Sequence, residues 1–232
     1  MLLLVAALGG TDVWAQSGAS GRVDSLHSSS SSGQHAAPAR WWTARHRFSV
    51  WGGGSNNASR ILGRTRDAEF RVVGLRYMHR LTDAPAPSEA PRRFVWFYTA
   101  DVIPWARLSV PRSAIPLLFD VHGDRIPRSD LSTLGVGAAP LGVQLNARLH
   151  RRVQPFVSAS TGVLYFFDPV PDGRGKAFNF TVDLGLGLQI AVSDVVRLSV
   201  GYRYHHLSNG YRGRINPGVD ANLFYLGAAV GW

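Results

Sequence analysis

Phe178-Asn179-Phe180-Thr181-Val182-Asp183-Leu184-Gly185-Leu186-Gly187-Leu188-Gln189-Ile190-Ala191-Val192 decides the fold of this chain. Every even position is apolar, whereas the odd positions are mostly small or polar. A period of two over such a length describes a β-strand with one greasy face and one polar face. It is longer than the five or six residues usual in a soluble sheet. A membrane-crossing barrel strand needs about 9–11 residues, apolar toward lipid and polar toward the lumen.

The same alternation recurs in Arg71 to Tyr77, with Val73 and Leu75 set against Val72, Gly74 and Arg76. Phe94, Trp96, Tyr98, Ala100 and Val102 alternate with Val95, Phe97, Thr99 and Asp101, and Leu141, Val143 and Leu145 with Gly142, Gln144 and Asn146. Strands are predicted near 48–54, 68–79, 92–103, 134–149, 154–167, 178–192, 196–208 and 222–232. No later run of 18 apolar residues provides a helical span. Strands that cross lipid must pair every backbone polar group, which requires a closed barrel. The expected fold is therefore all-β, an eight-stranded antiparallel transmembrane β-barrel of outer-membrane type spanning 46–232. A soluble barrel or sandwich is the rival. It would leave the Gly, Asn, Gln and Arg faces as a surface unusually poor in charge.

An even strand count puts both termini on the periplasmic side, with short turns there and longer loops outside. The tight connections Arg151-Arg152 and Ser193-Asp194 are then periplasmic, and 104–133, 168–177 and 209–221 external. The Pro-rich stretch 81–91 is an unusually long periplasmic connection. Trp105, Tyr165, Phe166, Phe167, Tyr202 and Tyr204 are candidates for the interfacial aromatic girdles. The closing Ala228-Ala229-Val230-Gly231-Trp232 resembles the insertion signal of outer-membrane barrels.

Residues 1–15 read as a secretory signal peptide, with an apolar Leu-rich core and Val13-Trp14-Ala15 before the cleavage point. The usual basic n-region is missing, so its expected start lies upstream of Met1. Residues 16–45, with serine at every position from Ser28 to Ser32, read as a flexible leader in which His27 and His35 are bystanders. The 232 residues contain no cysteine, which excludes disulfides, thiolate nucleophiles and zinc–thiolate sites. The formal net charge is +10. Its basic residues Arg107, Arg112, Arg125, Arg128, Arg174, Lys176, Arg212 and Arg214 fall in external segments, where guanidinium groups suit phosphate. Nucleic acid is set aside as a partner, because no recognition motif accompanies the charge.

One segment carries chemistry: Gly201-Tyr202-Arg203-Tyr204-His205-His206-Leu207-Ser208-Asn209-Gly210, then Asn216-Pro217-Gly218-Val219-Asp220. Parity puts His206 and Ser208 on the lipid-directed face, one pleat apart. A serine needs a base to become a nucleophile, and the base needs a polar orienter. His206, Ser208 and Asp220 supply these three roles. Symmetric closure of the hairpin sets Ser208 opposite Asp220 and His206 opposite Asn222, which makes Asn222 a rival orienter. His205 points into the lumen as a structural residue, and His79 has no serine partner nearby. His122, between Asp120 and Asp124, lacks a second histidine, and no metal site is expected.

These motifs, on the last hairpin of an eight-stranded exported barrel, resemble the lipid A 3-O-deacylase family. The likeness is specific over residues 202–232 and architectural over 48–232. The resemblance implies His206 as base, Ser208 as nucleophile and Asp220, twelve positions after the serine, as orienter. It assigns Asn209 to the oxyanion hole, with the Gly210 amide as a second donor. The sequence departs from the family at Asp220, where its best-known members carry Glu. The resemblance further implies a serine esterase of the outer membrane, without metal or cofactor. Its substrate is lipid A of lipopolysaccharide in the outer leaflet, from which it releases a 3-hydroxy fatty acid. A non-enzymatic small barrel with a structural, adhesive or binding role is the competing function.

Overall fold

The computed structural model describes residues 44–55, 61–83, 93–115, 130–148 and 152–232. The proposed signal peptide, nearly all of the leader with His27 and His35, most of the Pro-rich connection, His122, Arg125 and Arg128 lie outside the described residues. Eight strands follow in chain order: β1 His46–Ser55, β2 Glu69–Arg80, β3 Phe94–Val110, β4 Leu131–Ala147, β5 Val153–Val170, β6 Lys176–Ala191, β7 Val196–Ser208 and β8 Val219–Gly231. Each pairs antiparallel with its neighbour, and β1 pairs with β8, closing the barrel without an edge.

The alternation on β6 falls as its sequence dictates. Phe180, Val182, Leu184, Leu186 and Leu188 point outward and are exposed, whereas Thr181, Asp183 and Gln189 are buried inside. Outward apolar rows continue through Val50, Val102, Leu141, Val143, Val157, Leu198, Val200 and Leu226. Water around such a surface would be unfavourable by roughly 25 cal/mol per Å² of apolar area, so this is a barrel whose solvent is lipid. Leu186→Arg, near the middle of that belt, is expected to cost about 2–4 kcal/mol of folding free energy in vesicles. Unchanged denaturant stability of that variant would contradict a lipid-facing Leu186.

The lumen is filled. Arg76 donates to both oxygens of Asp101 at 2.9 and 2.8 Å, and Trp51 Nε1 donates to the same carboxylate at 3.0 Å. Gln144 donates to Asn146, which in turn donates to Gln154 and Gln189. Arg203 lies 4.1 Å over the Trp51 ring. Toward the external end this polar packing gives way to an apolar core that includes Phe70, Val72, Leu108, Phe166, Leu207 and Leu223. That core supports the end of β7 from beneath.

Several boundaries differ from the sequence expectation. β3 runs on to Val110 because a bulge between Ile103 and Ala106 absorbs Pro104, which cannot donate to a ladder. The bulge also reverses the phase, so that Ala106, Leu108 and Val110 are buried where odd residues were inward before it. β4 carries a similar irregularity between Ala138 and Leu141, and the Tyr98 hydroxyl donates to the Pro140 carbonyl there. β5 and β6 extend toward each other, reducing the external connection from 168–177 to 171–175. Phe166 is not in a girdle. It sits on the opposite pleat from Tyr165 and Phe167 and is buried in the external core.

Candidate active site

His206 and Ser208 end β7 at the external rim, both on the outward side. His205 and Leu207 between and beside them are buried inside. Asp220 is directly opposite His206 in the β7–β8 register. Side chains so opposed have Cβ atoms about 4.5–5.5 Å apart, within reach of a carboxylate as short as aspartate. His206 Nδ1 lies 2.6 Å from Asp220 Oδ1.

This register corrects the symmetric closure read from the sequence. Asn222 pairs with Tyr204 rather than with His206, and its Oδ1 accepts the Tyr202 hydroxyl at 2.6 Å. Asn222 is thus not the partner of the imidazole. The cause is the connecting loop. Gly210, Tyr211 and Gly218 all adopt left-handed conformations, with φ of 63, 59 and 64°. The chain therefore re-enters the ladder at Val219, before the alternating apolar pattern of β8 has resumed.

Ser208 Oγ accepts the Gly210 N–H at 3.1 Å and the Asn216 side-chain amide at 3.1 Å. Asn209 does not face the serine with its side chain. It is buried, its Nδ2 donates to the Ile215 carbonyl at 2.8 Å, and its Oδ1 accepts from Gly213 N–H. Its backbone N–H donates to Asn216 Oδ1 at 3.1 Å, which turns the Asn216 amide nitrogen toward Ser208. Asn209 builds the loop, and Asn216 is the side-chain donor at the hydroxyl. Periodicity carries no information about a loop residue, so Asn216, although quoted in the motif, received no role from the sequence.

The carboxylate of Asp220 is fully buried. Besides His206 it accepts Gly63 N–H on Oδ1 at 2.9 Å, and Ile61 and Leu62 N–H on Oδ2 at 2.8 and 2.9 Å. An ionised carboxylate has about four acceptor positions, and all are occupied. Tyr204, outward by parity, is buried beside Asp220 and Leu62 and so leaves the girdle.

The other histidines stand apart. His205 Nδ1 is 2.8 Å from Asp183 inside the barrel, and its ring stacks on Phe70 at 4.8 Å. His79 is at the periplasmic end, 5.0 Å from the His46 ring. Among the basic residues, Arg107, Arg112, Lys176, Arg212 and Arg214 are exposed on the external side. Arg212 stacks over Phe178 at 4.7 Å and donates to the Asn209 carbonyl. Arg174 is buried and paired with Asp172 at 2.7 Å, which removes it from the external basic surface.

Residues 117–229 match the family model described as Lipid A 3-O-deacylase (PagL). Among solved structures the chain is similar to the outer membrane enzyme PagL, at 14% identity and a TM-score of 0.46, covering 81% of this chain and 99% of that one. It is similar to Neisserial surface protein A, NspA, at 14% identity and a TM-score of 0.43, covering 80% and 97%. It is also similar to Ail, the attachment invasion locus protein of Yersinia pestis, at 13% identity and 0.39, covering 82% and 99%. Likenesses at this level bear on neither site nor activity. No curated protein matches the chain in sequence. The family match, by contrast, spans β4 to nearly all of β8 and with them the His206, Ser208 and Asp220 hairpin, and over these strands the outer-membrane barrel is similar to the lipid A 3-O-deacylase family.

Proposed function

We propose that the protein is a serine esterase that hydrolyses the 3-O-linked 3-hydroxyacyl ester of lipid A and releases a 3-hydroxy fatty acid. The observation that carries this reading is the hydrogen-bonded His206–Asp220 pair on the lipid side of the rim, one pleat from Ser208. Idle polar groups at such a place are costly.

Nδ1 of His206 is committed to Asp220, which leaves Nε2 as the base. Ser208 Oγ attacks the ester carbonyl carbon while Nε2 takes the hydroxyl proton. The tetrahedral oxyanion lies within reach of the Gly210 N–H and the Asn216 amide, the two donors that converge on Oγ. The intermediate collapses by breaking the bond to the sugar oxygen, which takes the proton from His206. Water, deprotonated by the same imidazole, then attacks the acyl-serine. The acid leaves and Oγ regains its proton.

Facing outward, the serine meets the ester while the acyl chain stays in the bilayer, so the filled lumen is no obstacle. The exposed Arg212 and Arg214 in the adjacent loop suit the phosphates of lipopolysaccharide. Residues 1–15 direct export, 16–45 form a leader and 46–232 the barrel.

Purified, folded barrel incubated with lipid A is expected to release free 3-hydroxy fatty acid, measured by gas chromatography with mass detection. A folded barrel that releases none would favour the non-enzymatic reading. Asn216→Ala is expected to lower kcat by about 10²–10³-fold, the usual loss for one oxyanion donor. Asn216→Ala with wild-type kcat would exclude it from that role.

A further inference from the structure

Of six consecutive backbone N–H groups in the first external connection, five are spent on the last hairpin. Ile61, Leu62 and Gly63 donate to the Asp220 carboxylate. Arg64 and Thr65 donate to the Pro217 and Gly218 carbonyls, and Arg66 to the Ala114 carbonyl. The segment thus clasps the last hairpin from far away in sequence, and the acid it clasps is the partner of His206. A surface loop held only by packing would show no such convergence on a single buried anion.

We propose that Ile61, Leu62 and Gly63 are positioning residues for the reaction: their amides fix the Asp220 carboxylate, and through it the imidazole of His206. The inference rests on the reading of Asp220 as orienter. Three charge-assisted donors fix both carboxylate oxygens in space, so that Oδ1 is left with one direction for His206. They also compensate the burial of an anion at the lipid boundary, where an incompletely bonded carboxylate would be costly. Gly63 is required for close approach. A Cβ there would stand 2.9 Å from Asp220 Oδ1, 2.9 Å from its backbone nitrogen and 3.1 Å from its Cγ. These are backbone and short side-chain atoms with little room to give, so either the loop or the carboxylate must move. The exposed Ile61 and Leu62 side chains face away from this cradle, and their apolar character suits a segment lying against the outer leaflet.

The test uses the whole barrel with lipid A as substrate and heat-modifiable gel migration as the check of folding. Gly63→Ala is expected to lower kcat by about 10- to 100-fold with KM within about twofold, the signature of a displaced catalytic geometry rather than lost binding. Leu62→Pro, which removes one N–H, is expected to do the same by a different route. In an Asp220→Ala barrel, Gly63→Ala is expected to change the residual kcat by less than about twofold, since the group it positions is gone. Wild-type kcat in both loop variants would overturn the proposal. So would a full loss repeated on top of Asp220→Ala, which would make the loop's contribution independent of the acid. Ser208→Ala separates the two levels. If that variant is inactive while the loop variants are normal, only the loop assignment fails; if it is active, the esterase reading fails with it.

Discussion

Ser208→Ala and His206→Ala are each expected to reduce deacylation by about 10⁴- to 10⁶-fold while the barrel still folds and inserts. In the proposed mechanism the serine hydroxyl is the bond-forming group and the His206 imidazole its base, so neither has a substitute. The double variant is expected to be no worse than either single one, because nucleophile and base act as a unit. Folding is spared because both side chains lie at the outward rim, away from the apolar core beneath β7. His205→Asn provides the contrast. It alters a luminal residue bonded to Asp183, and most of the activity is expected to remain. Steady-state rates on lipid A, with folding verified, check all three.

Asp220→Asn is expected to lower kcat by about 10⁴-fold, since an amide in that place favours the wrong imidazole tautomer. It also turns an amide nitrogen, in either orientation, toward N–H donors that need acceptors: His206 and Gly63 at one oxygen, Ile61 and Leu62 at the other. Asn222→Ala is expected to remain within a few-fold of wild type, because Asn222 is engaged with Tyr202. Rates of the two variants measured side by side decide the orienter. A larger loss for Asn222→Ala would contradict the assignment of Asp220.

The barrel is legible in β6 because a strand between lipid and a packed lumen writes its surroundings into every second residue. Where that rule is interrupted, the reading stops short. Pro104 breaks the alternation of β3 and the bulge inverts it, so the external half of that strand is invisible to periodicity. Phe166 stands between two outward aromatics and reads from composition as one of them, although the pleat turns it inside. For the site, the strand parity of His206 and Ser208 follows from the sequence alone. The register of Asp220 does not, because it depends on left-handed residues in a ten-residue loop whose closure no pattern specifies. The exchange of roles between Asn209 and Asn216 has the same origin. Both are loop amides, and only the fold of the loop decides which one faces the hydroxyl. The contribution of Ile61 to Gly63 is carried entirely by backbone N–H groups, for which side-chain identity is nearly silent; Gly63 alone records it, through the Cβ it lacks.

The most direct test of the central claim is the mass spectrum of lipid A from an outer membrane carrying the wild-type barrel, beside one carrying the folded Ser208→Ala barrel. The account predicts that the wild type removes the mass of one 3-hydroxyacyl chain, lost from position 3, and that the variant leaves lipid A intact. The same loss in both membranes, or in neither, would contradict it.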